Sequence, residues 1–155
     1  VLMLMPWRDS SVASAASREL ELTGPIFGGD GWEAPQLIEI GGKAMEGTYY
    51  STHYSPENSS PAVQSFVTKF RARFAGETPD AMAALGYDSA MVLADAIKRA
   101  GTTDHSKLRA AIAATRNYNG VTGRTTIDSN RNATKSAVVI TVKDGQFKFV
   151  ESIAP

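Results

Sequence analysis

PIFGGDGWEAPQLIEIGGKAMEGTYYSTH, residues 25–53, decides the fold. Pro25 to Phe27 starts a short apolar strand, and the glycines around Asp30 punctuate its end. Pro35 suits the first turn of a helix that runs to Ile40 and stops at Gly41-Gly42. Gly47 to His53, rich in threonine and tyrosine, reads as the next strand. Upstream, Val1 to Met5 is a continuous apolar run bounded by Pro6, the pattern of a strand buried on both faces. Asp9 or Ser10 is placed to cap a helix reaching about Leu20, with Val12, Ala15, Ala16 and Leu20 on its apolar side. Gly24-Pro25 ends it. Strands and helices alternating in this rhythm predict βαβ units and a parallel sheet.

The middle of the chain reads as helical. Ser55 to Pro61 is a polar, proline-bearing loop of the kind that joins subdomains. Val63, Phe66, Val67, Phe70 and Phe74 then keep helical spacing. Thr78 followed by Pro79 supplies a capping residue and a first-turn proline for the next helix, Ala81 to Ala100, whose apolar residues are Leu85, Val92, Leu93, Ala96 and Ile97 and which Gly101 closes. A third helix is expected from about Ser106 to Thr115, using Leu108, Ala111 and Ile112. The end is β: Val121 to Ile127 and Ala137 to Val142 read as strands, and Asp144-Gly145 is a two-residue hairpin turn into Phe147 to Val150.

Composition excludes several classes. The 16 basic and 16 acidic residues cancel, so no overall field favours nucleic acid or an anionic membrane. There is no cysteine, hence no disulfide, thiolate zinc site or cysteine nucleophile. No apolar run approaches the roughly 18 residues of a membrane span. The first residues lack a basic region and are too short for a signal peptide. They read as a strand cut from something larger.

The motifs that suggest chemistry divide unevenly. Asp128, Asn130 and Asn132 have the spacing that opens a calcium loop, but Ala133 and Val139 stand where a glycine and a carboxylate are needed, so a turn is expected there and no metal. His53 and His105 lack metal-ligand spacing and read as structural or solvated. No serine lies in a nucleophile elbow, and no nucleophile–base pair or cofactor motif appears, so no catalytic residue and no cofactor is expected. Gly28-Gly29-Asp30-Gly31 lacks the Lys-Ser/Thr ending of a phosphate loop, and its acid would repel phosphate. In open α/β sheets ligands bind outside the carboxyl ends of the strands. Pro6-Trp7-Arg8-Asp9 and Gly28 to Trp32 both occupy such a place. An aromatic face plus a carboxylate can hold a small zwitterion by cation–π contact and a charge-assisted hydrogen bond. The residues alone leave two readings open, a binding wall or a turn that Asp30 shapes and Trp32 packs over.

Three runs carry a resemblance: GPIFGGDGWEAPQLIEIGGKAMEGTYYSTHYSP, TPDAMAALGYDSAMVLADAIKRAG and GVTGRTTIDSNRNATKSAVVITVKDGQFKFV. From about Leu22 to Val150 the chain resembles the C-terminal half of the solute-binding proteins of branched-chain amino acid ABC importers, which are type I periplasmic binding proteins. That resemblance implies two α/β lobes that close on an amino acid. By position it implies that Asp30 meets the ligand ammonium and that Trp7 takes the place of the family's aromatic residue. Arg8 and Gly29 complete the candidate ligand-binding set. The stretch from Val1 to Glu21 departs most from the family, and Glu21 stands where glycine is frequent.

The expected fold is therefore α/β, a three-layer α/β/α arrangement with a mostly parallel sheet and a C-terminal β-hairpin, like a periplasmic-binding-protein or flavodoxin lobe. The resemblance implies a second-lobe βαβαβ segment over 1–50, helices that would complete the first lobe over 51–119, and a returning β segment over 120–155. It implies a non-enzymatic module for a small branched-chain amino acid-like solute, serving the membrane subunits of an importer in the periplasm. As a truncated piece it should bind weakly or not at all, and uncovered apolar faces should make it a homo-oligomer. The competing expectation is an engineered or rearranged self-associating α/β fragment without a natural ligand.

Overall fold

The computed structural model describes the backbone of residues 2–4, 7–21 and 23–155, and the side chains of residues 13–21 and 23–155. The elements in chain order are β1 (Leu2–Leu4), α1 (Trp7–Glu19), β2 (Ile26–Gly28), α2 (Pro35–Gly41), β3 (Tyr49–Thr52), α3 (Pro61–Arg73), α4 (Ala81–Ala100), α5 (His105–Ala113), β4 (Tyr118–Gly120), β5 (Gly123–Ile127), β6 (Ala133–Thr134), β7 (Ala137–Lys143) and β8 (Gln146–Ile153). They fall into two units, Val1–Glu57 with Ala137–Ile153, and Asn58–Ser136 with Ala154–Pro155.

The first unit is built on a sheet of order β1-β2-β3-β7-β8. β1, β2 and β3 pair in parallel, as the alternation of strands and helices predicts, with Phe27 opposite Tyr49 and Gly28 opposite Tyr50. β7 joins β3 antiparallel and β8 follows as a hairpin, so the sheet is mixed. The hairpin turn is Asp144-Gly145, both at positive φ (53° and 66°), as a tight two-residue connection requires. Glu46 fixes that turn by accepting from the Asp144 and Gly145 amides at 3.0 and 2.6 Å. Alternation along the strands puts Ile26, Tyr50, Val138, Ile140 and Val142 on the buried face, where they pack with Trp32, Leu37 and Met45. Leu37 and Ile38 come from α2, and α1 runs beside α2, so these two helices form the helix layer on that face. The opposite row, including Phe27 stacked on Tyr49 at 5.7 Å, stays partly exposed.

α1 begins at Trp7, not after a cap at Asp9 or Ser10 as the sequence suggests. An acid in the first turn suits the positive end of the helix, so Asp9 fits inside it as well as before it. Past the end of α1, Glu21 adopts φ +57°. That left-handed conformation is natural for glycine and costs other residues about 1–2 kcal/mol.

The second unit combines α3, α4 and α5 with a three-stranded antiparallel meander, β4-β5-β6. Ser60 caps α3 by accepting from the Val63 amide, and Asp104 caps α5 through the Ser106 and Lys107 amides. α4 spans Ala81–Ala100, the bounds the sequence predicts, but its cap is Asp80 and not Thr78: the Asp80 carboxylate accepts from the Ala83 amide at 2.7 Å. Gly101 ends α4 at φ +65°. Phe66 of α3 meets Tyr87 of α4 at 4.9 Å between ring centres. Arg99 ties α4 to α5 by donating to the Ala111 carbonyl (2.7 Å) and the Thr115 hydroxyl (3.0 Å). Val63, Phe66, Val67 and Ala96 are buried as their spacing predicts, whereas Phe74 and Leu93 are exposed. Asp128 to Asn132 is a turn between β5 and β6, closed by the Asp128 carboxylate on the Asn132 amide at 2.8 Å.

The strand expected over 121–127 starts two residues later, at Gly123, and forms the second arm of a hairpin. Residues 121–127 do not extend continuously; Tyr118–Gly120 turns back on Gly123–Ile127 through Val121-Thr122. The cause lies on α4. Asp88 is buried and accepts from the Val121 amide (2.8 Å), the Thr122 amide (2.8 Å) and the Thr122 hydroxyl (2.6 Å). Those amides are thereby taken out of any ladder, and Gly123 at φ +101° completes the reversal.

Candidate functional site

The carboxyl ends of the parallel strands β2 and β3 lie side by side in the sheet, and the chemistry of the first unit collects there. After β2 the chain makes a single 3-10 turn, Asp30–Trp32, held by the Trp32 amide donating to the Gly29 carbonyl at 3.0 Å. Trp32 swings back into the core, 1 % exposed, with its ring 6.4 Å from that of Tyr50. Gly28 permits this. A Cβ there would lie 2.2 Å from the Trp32 indole, so no other residue fits without displacing the ring. Gly29 and Gly31 are different, since a Cβ at either would meet nothing within 4 Å.

Asp30 therefore stands on an open turn, its side chain 58 % exposed. His53, the residue following β3, reaches it with Nε2 3.2 Å from Oδ2. An ionised carboxylate only accepts, so Nε2 carries the proton in this contact. A second carboxylate lies close by in sequence: Glu33 accepts a hydrogen bond from the buried Thr52 hydroxyl. The Tyr50 phenol is pushed well above its ordinary value, first by burial and then by the Glu33 charge, so it stays neutral. The two acids thus differ in availability, Glu33 tied to Thr52 and Asp30 facing outward. An outward carboxylate at the carboxyl end of a parallel strand can accept a charged donor from a small solute.

Of the four residues singled out in the sequence, Gly29 and Asp30 occupy this turn. Trp7 and Arg8 lie in the first turn of α1, and their side chains fall outside the described residues. Trp32 is core, as the packing reading of the motif has it. His53, which reads from the sequence as structural or solvated, lies beside Asp30. Its signal was positional: it follows β3 directly, as Asp30 follows β2 by two residues, and neighbouring parallel strands bring such positions together. Among the described residues no group of three or more histidines and acids is placed to hold a metal, and no helix is long and apolar enough to cross a membrane.

The sequence profile of the periplasmic binding protein family matches residues 1–146. Among solved structures, the chain is similar to a leucine-binding protein of Thermotoga maritima, with 44 % identity and a TM-score of 0.87 over 99 % of this chain and 44 % of that one. It is also similar to the branched-chain amino acid transporter substrate-binding protein of Streptococcus pneumoniae in complex with isoleucine, with 26 % identity and a TM-score of 0.82 over 99 % of this chain and 44 % of that one. The chain thus spans less than half the length of these relatives. Comparison with curated protein sequences gives no match.

Proposed function

Because the chain belongs to the periplasmic binding protein family, we propose that it supplies one wall of the solute site of a branched-chain amino acid importer's binding protein. Asp30 accepts the ligand's ammonium group, and the open turn at Gly29 lets the ligand approach the backbone. The observation that carries this is the exposed Asp30 carboxylate at the carboxyl end of β2. In this reading the role is binding, not catalysis, and the working partners are the membrane subunits of an importer, with the parent protein in the periplasm. Residues 1–50 act as a second-lobe βαβαβ segment, 51–119 as the helices completing the first lobe, and 120–155 as the returning β segment.

Taken alone, the 155-residue segment binds weakly, because closure around a solute draws on walls beyond the 44 % of the relatives' length that it matches. A Kd of about 1 mM or weaker, worth about 4 kcal/mol, is expected. The proposal includes self-association, since Met82, Tyr87, Met91 and Leu93 leave apolar surface of α4 exposed. Titration of the chain with leucine, isoleucine and valine, followed by amide NMR shifts, tests the assignment. Shifts should centre on Gly29 to Gly31 and disappear in Asp30→Asn. Micromolar affinity would refute the weak-binding argument, and binding untouched by Asp30→Asn would remove Asp30 from the site. Light scattering that shows a monomer at every concentration would refute self-association.

A further inference from the structure

We infer that His53 is a positioning residue for the solute site, orienting the Asp30 carboxylate so that one oxygen is held and the other is presented to an ammonium group. This rests on the assignment of Asp30 proposed above and adds a second residue to it. Three observations carry it. Nε2 of His53 lies 3.2 Å from Oδ2 of Asp30, and the contact engages one carboxylate oxygen. Asp30 is flanked by Gly29 and Gly31, which carry no side chain to steady it, and its own side chain is 58 % exposed. His53 is anchored at the end of β3, whose Thr52 is buried and bonded to Glu33. A carboxylate on an open turn is thus steadied by a residue on a fixed strand.

The consequence is chemical. A carboxylate with both oxygens open accepts a planar guanidinium through two parallel bonds. With Oδ2 held by His53, Asp30 accepts a single donor, which suits the compact ammonium of a primary amine. The ligand class is therefore a small solute with one protonated amine near the Asp30 end, and His53 contributes to choosing it. The imidazole acts only through Asp30.

His53 is 38 % exposed, so replacing it should leave the sheet intact. The test uses the full chain, with L-leucine and its amine-free analogue 4-methylpentanoate as probes, and NMR titration to measure weak binding. His53→Leu should weaken leucine about fivefold, the equivalent of one ordinary hydrogen bond, and leave 4-methylpentanoate unchanged. His53→Gln, whose terminal NH2 falls near the place of Nε2, should restore leucine binding; His53→Asn, which is too short, should not. Equal leucine affinity in wild type, His53→Leu and His53→Asn, with Asp30→Asn still damaging, would overturn the role of His53 and leave the Asp30 assignment standing. If Asp30→Asn is also without effect, or the wild type shows no leucine-dependent shift, both fall. A loss shared equally by leucine and 4-methylpentanoate would show that His53 only supports the fold, and would overturn the inference too.

Discussion

Replacing Asp88 with alanine should come close to unfolding the second unit. The side chain is 7 % exposed and accepts three hydrogen bonds, two of them from the Val121 and Thr122 amides of the β4–β5 turn. Removing it leaves both amides buried without a partner, and each such orphan costs about 1–3 kcal/mol, so the pair costs about 2–6 kcal/mol. Against a total stability of about 5–15 kcal/mol for a domain, that is a large share. Burial already holds the half-buried Lys135 amine below its usual range, and the Asp88 charge partly opposes this; its loss adds to the damage by the same sign. An asparagine in place of Asp88 keeps one acceptor oxygen but turns an NH2 toward the other amide, so Asp88→Asn should fall between wild type and Asp88→Ala. Gly120 supplies an internal check. A Cβ there would stand 2.4 Å from Asp88 Oδ2, so Gly120→Ala should be costly in the wild type and much cheaper when Asp88 is already replaced by alanine. Urea unfolding of the four proteins in that cycle gives the coupling, and hydrogen exchange at Val121 and Thr122 localises it. A loss below about 1 kcal/mol for Asp88→Ala, with both amides still protected, would refute the reasoning.

Glu21→Gly should stabilise the chain by about 0.5–1 kcal/mol in urea unfolding, because glycine relieves the left-handed strain while giving back part of the gain as unfolded-chain entropy. Gly28→Ala should cost about 1–3 kcal/mol by driving a Cβ into the Trp32 ring, while Gly29→Ala should leave the melting temperature almost unchanged. Glu57 is held below its ordinary value of 4.5, chiefly by the Phe149 amide donating to it at 2.9 Å and further by Lys148. A lowered folded pKa means that this stabilisation is present above 4.5 and is lost as pH falls through the folded value. Thermal melts from neutral pH downward should therefore drop more steeply in wild type than in Glu57→Gln over that window, and parallel curves would remove Glu57 from the acid response.

What could be read from the sequence was whatever neighbours along the chain decide. The alternation of strand and helix over residues 25–53, the proline at the start of α2 and the Asp144-Gly145 turn are each fixed by a few consecutive residues. The errors share one cause: a partner far away in sequence. The strand expected over 121–127 begins only at Gly123, because Asp88, more than thirty residues upstream, claims the Val121 and Thr122 amides for a turn. Phe74 and Leu93 keep core spacing yet are exposed, since periodicity marks an apolar face without naming what covers it. The bounds of α4 are legible, but its cap is not: Thr78 and Asp80 stand two residues apart, and only geometry chooses Asp80. The contact of His53 with Asp30 likewise depends on a distant partner, the parallel pairing of β2 with β3.

The Gly-Gly-Asp-Gly motif shows how such a choice resolves within a few residues. As sequence it offered two readings for the whole stretch, punctuation or binding wall. The packing divides it instead. Gly28 and Trp32 are accounted for by the fold, because the indole occupies the space a side chain at 28 would need. Gly29 and Gly31 answer to no such demand: each faces open space, and neither lies in the left-handed region where glycine would be needed. What packing leaves unexplained is therefore Gly29, Asp30 and Gly31, the residues to which the proposed function assigns the approach of an amine-bearing solute. If Gly29→Ala leaves stability intact but abolishes the leucine-dependent shifts, the glycine serves the ligand; if it changes neither, the open space is incidental and the carboxylate alone carries the site.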